Sequence, residues 1–149
     1  MGQGSGPLVG EVNPDAAWQI LREESSARLI DVRTRAEWGF VGVPDLEGTA
    51  HEAIFVEWAR WPDMSVNPRF VAEVLDAVGE GNSGPFLFLC RSGARSLRAA
   101  AAVTDHLSKD GRSVLCLNVA EGFEGDLDAR GHRGGLNGWK ARGLAWRQS

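Results

Sequence analysis

The chain has 149 residues, of which 43 % are hydrophobic and 24 % charged; this is the make-up of one soluble globular domain, large enough to bury a core without a metal or a disulfide staple. A formal net charge of −4 gives no electrostatic reason to expect nucleic acid or an acidic membrane surface as partner, so any bound anion needs a local positive site. Two cysteines, Cys90 and Cys116, fall short of a secreted disulfide framework and fit a reducing, cytoplasmic compartment.

The segment Met1-Gly2-Gln3-Gly4-Ser5-Gly6-Pro7 has neither the basic stretch nor the apolar core of a secretory signal. No apolar run approaches the ~20 residues of a membrane span. Residues 1–8 are expected to be flexible, ahead of a single domain over residues 9–149.

Val9 to Val12 predicts a short edge strand. Asn13-Pro14-Asp15 supplies a cap, a proline at the first helical position and an acid in the first turn. That helix runs to about Glu24, with Ala17, Ile20 and Leu21 facing inward. Arg28 to Val32 reads as a buried strand. Thr34-Arg35-Ala36-Glu37 has capping-box spacing and opens a short helical turn. Residues 39 to 50, with Gly39, Gly42, Pro44 and Gly48, read mostly as loop. Glu52 to Trp61 is expected to be helical, with Trp58 and Trp61 on neighbouring faces, and Pro62 stops it.

Asn67-Pro68 opens a further helix carrying Val71, Val74, Leu75 and Val78 at helical spacing. Gly79, Gly81 and Gly84 close it. Phe86 to Leu89 is a continuous apolar run of strand length, the pattern of a strand covered on both faces. From Ser96 to Lys109 the inward stripe is expected at Leu97, Ala100, Ala101, Thr104 and Leu107. Val114 to Val119 gives another buried strand, Glu121 to Gly135 a polar loop, and Gly135 to Gly143 a last short helix around Trp139. Strands alternating with helices indicate an α/β domain with a mainly parallel sheet.

The chemistry lies in Cys90-Arg91-Ser92-Gly93-Ala94-Arg95-Ser96. A buried strand delivers Cys90 to its carboxyl end, where open parallel sheets bind ligands. A helix follows at once, offering unpaired backbone N–H groups and the positive end of its dipole. Ser92, Gly93 and Ala94 let the backbone curl around one anion, and Arg91 and Arg95 add full charges. Such surroundings favour a thiolate, which needs no general base to act as nucleophile.

This segment resembles the active-site loop of single-domain rhodaneses, Cys-Arg-x-Gly-x-Arg-Ser. Leu29-Ile30-Asp31-Val32-Arg33 with Glu37-Trp38 is similar to the family's early signature. Gly134-Gly135-Leu136-Asn137-Gly138-Trp139, followed by Gly143-Leu144, is similar to its closing one. Together they span roughly residues 9 to 146. Two departures stand out. Gly42-Val43-Pro44-Asp45-Leu46-Glu47-Gly48 lacks the histidine usual in a Gly-His-Ile-Pro-Gly-Ala type segment, and Ala120 to Arg133 is longer than usual; both reshape the rim of the site.

The resemblance implies a single three-layer α/β domain with a central, mainly parallel five-stranded sheet flanked by helices. It implies a sulfurtransferase without cofactor or metal. The Cys90 thiolate attacks the outer sulfur of a small anionic donor, thiosulfate or a persulfide. The N–H groups of residues 91 to 96 hold the resulting persulfide, and cyanide, a thiol or a partner protein accepts the sulfur. Arg91 and Arg95 steer the donor, while Asp31 and Arg33 brace the loop from beneath.

Other residues read as structural. Cys116 sits in an apolar run and reads as inert core. His51, His106 and His132 are too scattered for a metal site, and His106 lies off its helix's inward stripe. Asp126 and Asp128 fail the calcium-loop pattern because Arg130 occupies a ligand position. Glu37 with Arg33 or Arg35 reads as a structural pair, and the tryptophans as packing. Two rival functions stay open. A cysteine phosphatase or arsenate reductase holds five residues between cysteine and arginine, against four between Cys90 and Arg95, and the chain offers no clear aspartate acid for it beyond the candidates Asp63 and Asp126. A non-catalytic binding module of rhodanese shape is the other.

Overall fold

The structure, a computed structural model, describes residues 9–149; the expectation for residues 1–8 lies outside them. Gly10–Val12 (β1) leads into Pro14–Glu23 (α1), whose cap Asn13 accepts a hydrogen bond from the Ala16 amide at 2.8 Å. Arg28–Asp31 (β2) follows, then Arg35–Phe40 (α2), where Thr34 and Glu37 form the expected capping box. Val43–Pro44 (β3), Ile54–Phe55 (β4), Ala59–Arg60 (β5) and Ser65–Val66 (β6) come next. Phe70–Val78 (α3), Phe86–Leu89 (β7), Ala94–Lys109 (α4), Cys116–Val119 (β8) and Trp146–Arg147 (β9) complete the chain.

The central sheet has five strands in the order β1-β8-β7-β2-β4, every neighbouring pair parallel. Side chains alternate across β7, as a period of two requires. Phe86 and Phe88 join Phe70, Val74, Ala99, Ala100 and Val103 on the α3/α4 face. Leu87 and Leu89 join Ala17, Leu21, Phe123 and Trp139 on the α1 face. Both faces are covered, which is why β7 reads as an unbroken apolar run. Cys90 continues the odd-even count and falls on the α4 side.

The segment from Glu52 to Trp61 is not helical. Ile54 and Val56 are both buried while Phe55 between them is exposed, a strand period rather than a helical one. Ile30 pairs with Ile54 in register, and the Trp58 amide donates to the Val32 carbonyl at 3.0 Å. Trp58 packs edge-on against Phe70 at 5.1 Å. The chain then turns back as the antiparallel β5–β6 hairpin, with Trp61 to Met64 at its tip.

Three other expectations shift. The buried face of α4 is Ser96, Ala99, Ala100, Val103 and Leu107, and Leu97 is 46 % exposed. The stripe rotates because small residues let the helix lie close to the sheet and because Ser96 turns toward Cys90. α3 begins at Phe70, since the Asn67 side chain accepts from the Arg69 amide at 3.0 Å instead of capping a helix from Pro68. Residues 135–143 form turns rather than a helix. Gly138 has φ 99°, and a Cβ there would sit 2.6 Å from the Gly125 amide, so the chain crosses too closely for helical side chains. Trp139 is nevertheless fully buried, with its indole donating to the Ala145 carbonyl at 2.8 Å.

Candidate active site

β7 ends at Leu89 and α4 begins at Ala94, so Cys90 to Gly93 form the connecting loop, with Gly93 (φ 114°) as the residue before the helix. The Cys90 side chain points into this loop. The Gly93 amide donates to Sγ at 3.1 Å, and the Ser96 hydroxyl lies 3.1 Å from the same sulfur. The N–H groups of residues 91 to 96 were expected around the outer sulfur of a persulfide; Sγ itself is contacted by one amide and one hydroxyl. Cys90 is 1 % exposed, seated at the floor of the loop.

Ser96 has a second partner. Its hydroxyl lies 2.5 Å from Oδ1 of Asn118 on β8, while Asn118 Nδ2 donates to the Gly93 carbonyl and to Glu11 Oε2, both at 3.2 Å. A hydroxyl has one proton, and an amide oxygen can only accept. The Ser96 proton therefore serves either Asn118 or Sγ at any moment. Asn118 was missed in the sequence because it sits inside an apolar run; its signal is a polar residue on a strand otherwise buried on both faces.

The two arginines of the loop have different fates. Arg91 is exposed and lines a cleft of about 560 Å³ together with Thr34, Glu37, Trp61, Met64, Arg95 and Arg133. Arg95 instead forms a two-pronged ion pair with Glu37, at 2.8 and 2.9 Å. Glu37 was expected to pair with Arg33 or Arg35; the loop arginine reaches it first because α2 and α4 both open toward the same end of the sheet. Burial opposes ionisation of Glu37, but hydrogen bonds from Arg95 and Thr34 outweigh it and hold its carboxyl at about 2. Burial likewise opposes the charge on Arg95, and Glu37, followed by charge on Cys90 and Asp31, more than offsets it, so its pKa rises.

Asp31 and Arg33 lie beneath the loop, both fully buried and paired at 2.7 Å. Arg33 also donates to the Gly42 carbonyl at 2.8 Å and stacks its guanidinium over Phe123 at 4.3 Å. The Phe123 amide in turn donates to the Cys90 carbonyl at 2.8 Å, and those of Glu124 and Gly125 to the Arg91 carbonyl at 3.0 and 3.1 Å. The start of the stretch read as a surface loop is thus the bed of the cysteine loop. A Cβ at Gly122 (φ 69°) would lie 2.5 Å from the Arg91 carbonyl carbon and oxygen, so only glycine permits this approach. The signal was the Gly122-Phe123-Glu124-Gly125 spacing just after a strand. Gly134 to Trp139, by contrast, reaches the site only through this bed, by way of Gly138 donating to Glu121 at 2.8 Å and the Trp139 amide donating to the Gly122 carbonyl at 2.9 Å.

Cys116 is buried on the same core face as Cys90. Burial pushes its thiol up, against a smaller opposing hydrogen bond with Thr104. His106 is exposed, as expected.

The five-stranded parallel sheet with helices on both faces is the α/β architecture expected from the sequence, and solved structures share it. No family model matches the chain. The crystal structure of Rv0390 from M. tuberculosis is similar with a TM-score of 0.80 and 45 % identity, over 95 % of this chain and 98 % of that one. The polysulfide-sulfur transferase homodimer of Wolinella succinogenes shares the fold at a TM-score of 0.57 and 19 % identity, over 95 % of this chain and 80 % of that one. RC0915 of Rickettsia conorii is 35 % identical over 130 residues, 87 % of this chain and 90 % of the relative. The chain belongs to the family that includes RC0915 and Rv0390.

Proposed function

We propose that the protein is a sulfurtransferase that carries sulfane sulfur on Cys90. The observation that supports this most is the seat of Sγ, held by the Gly93 amide and the Ser96 hydroxyl at the junction of β7 and α4. Donors at a helix start stabilise negative charge on sulfur. The Cys90 thiolate attacks the outer sulfur of a donor R–S–S⁻ or thiosulfate. A Cys90–sulfur bond forms, the donor's sulfur–sulfur bond breaks, and R–S⁻ or sulfite departs with the electron pair. Cyanide or a thiolate then takes the outer sulfur and returns the Cys90 thiolate. No cofactor is consumed.

In this reading Ser92, Gly93 and Ala94 shape the loop, Ser96 holds the sulfur and Arg91 draws anionic donors to the cleft. Arg95, tied to Glu37, positions the loop rather than the donor. The Asp31–Arg33 pair supports it through Phe123. Both cysteines are free, and among the described residues no helix is long and apolar enough to cross a membrane; a reducing, cytoplasmic setting suits a carrier of reduced sulfur.

Incubation with thiosulfate followed by intact-mass measurement tests the proposal. The protein should gain one sulfur atom, and Cys90→Ser should gain none while keeping its fold. A wild-type protein that stays unmodified by thiosulfate and by organic persulfides alike overturns it.

A further inference from the structure

The cleft beside the cysteine loop is larger and more apolar than an inorganic anion requires. Its volume of about 560 Å³ falls in the range of roughly 300–1,000 Å³ occupied by organic ligands. Arg91 and Arg133 line the cleft, Arg133 donating to the Gly125 carbonyl at 2.7 Å, and neither forms an ion pair among the described residues, with Glu124 the acidic neighbour in the lining. Trp61 and Met64 from the tip of the β5–β6 hairpin, with Ala36 and Val41, supply its apolar wall.

Trp61 is 70 % exposed and Met64 38 %, so neither is there to fill the core. Met64 has φ 55°, a left-handed conformation that is strained for an unbranched side chain with no local hydrogen bond to offer. Glycine or asparagine would relieve it. The base of the hairpin is anchored by Asn67, which is buried and bonds Arg60, the Glu57 carbonyl and Glu73 at 2.9, 3.0 and 2.9 Å. The hairpin thus presents an indole and a thioether to the cleft, both soft, polarizable surfaces suited to an apolar or aromatic body.

We infer that this wall is a carrier subsite, and that the preferred sulfur donor is an organic monoanion, with its sulfane sulfur and charge toward Arg91 and its apolar carrier against Trp61 and Met64. The inference rests on the sulfur-transfer reading for its chemistry, but binding can be read without turnover. With benzenethiosulfonate as donor, the Cys90 thiolate takes the outer sulfur and benzenesulfinate leaves with the electron pair.

Two measurements separate the subsite from the reaction. First, binding of benzenesulfonate to Cys90→Ser is followed by calorimetry, in that background and with Trp61→Ala or Trp61→Phe added. Trp61→Ala should weaken binding about tenfold, the scale of a lost aromatic contact with its buried area, and Trp61→Phe should restore most of it. Second, kcat/KM for thiocyanate production is compared between benzenethiosulfonate and thiosulfate. Wild type should prefer the organic donor by about tenfold, and Trp61→Ala should lower kcat/KM for the organic donor far more than for thiosulfate, so that the preference is lost. Absent or Trp61-independent benzenesulfonate binding overturns the subsite even if Cys90 carries sulfur. Intact binding with no sulfur transfer to Cys90 from either donor overturns the sulfurtransferase reading instead.

Discussion

Both terminal nitrogens of Arg95 donate to the two carboxylate oxygens of Glu37, a residue 58 positions earlier in the chain. The pair clamps the first turn of α4 to the first turn of α2 and so sets where the cysteine loop lies. It also gives the fold an acid-sensitive joint. The folded carboxyl sits at about 2, against an ordinary value of 4.5. A depressed carboxylate stabilises the fold above its unfolded value, and the gain disappears as pH falls through its folded value. Its worth at neutral pH is on the order of 3 kcal/mol. Glu37→Gln should therefore be less stable than wild type at pH 7, with the gap closing between about pH 4.5 and 2. Denaturant midpoints across that range check this; a gap that stays constant with pH means the pair does not hold the charge.

Ser96→Ala removes the hydroxyl that faces Sγ and leaves a methyl group of nearly the same size. A hydrogen bond to a charged group is worth roughly 1.5–3 kcal/mol, so persulfide formation should slow by about tenfold to a hundredfold, and the melting temperature should fall by on the order of 5 °C because Asn118 Oδ1 loses its buried partner. Asn118→Ala should do the opposite to the hydroxyl, freeing it for sulfur while loosening Gly93. Stopped-flow rates of sulfur loading for the two variants distinguish a direct role of Ser96 from a packing one.

Gly122→Ala forces a Cβ into the carbonyls of Arg91 and Cys90 and a side chain onto a left-handed backbone. Strain of this type costs roughly 1–3 kcal/mol, and a melting temperature lower by on the order of 5 °C is expected. Loading of Cys90 should fall with it, because the loop must lift off its bed. Calorimetry together with the mass measurement reads both effects in one preparation.

Asp31→Ala leaves Arg33 buried and charged without its carboxylate. Removing one member of a fully buried pair costs about 3–5 kcal/mol. The variant should unfold at markedly lower urea concentration, whereas Arg35→Ala, at an exposed position, should be nearly silent. Equal behaviour of the two would show that the buried pair is not under tension from its surroundings.

Local patterning carried far into this fold. The Asn13 and Thr34 caps, the apolar run of β7 and the cysteine at its carboxyl end are all decided by residues within one turn or strand, and all could be read from the chain. The errors share another cause. Ile54 and Val56 obey a strand period that is visible only once β2 is known to lie alongside, and the orientation of α4 follows from Ser96 turning toward a sulfur six residues back. The partner of Glu37 is 58 positions away, and the bed at Gly122 is recognisable only from the carbonyls that press on it. Pairings set by tertiary approach leave little local trace; the Cys90 loop was legible because its parts are consecutive.

The depth of Cys90 carries a last implication. In the proposed reaction, a sulfur atom added to Sγ would stand about 2 Å further along the chain of bonds. Oxidation to sulfinic or sulfonic acid follows exposure as well as thiolate character, and at 1 % exposure Cys90 is placed against such irreversible damage.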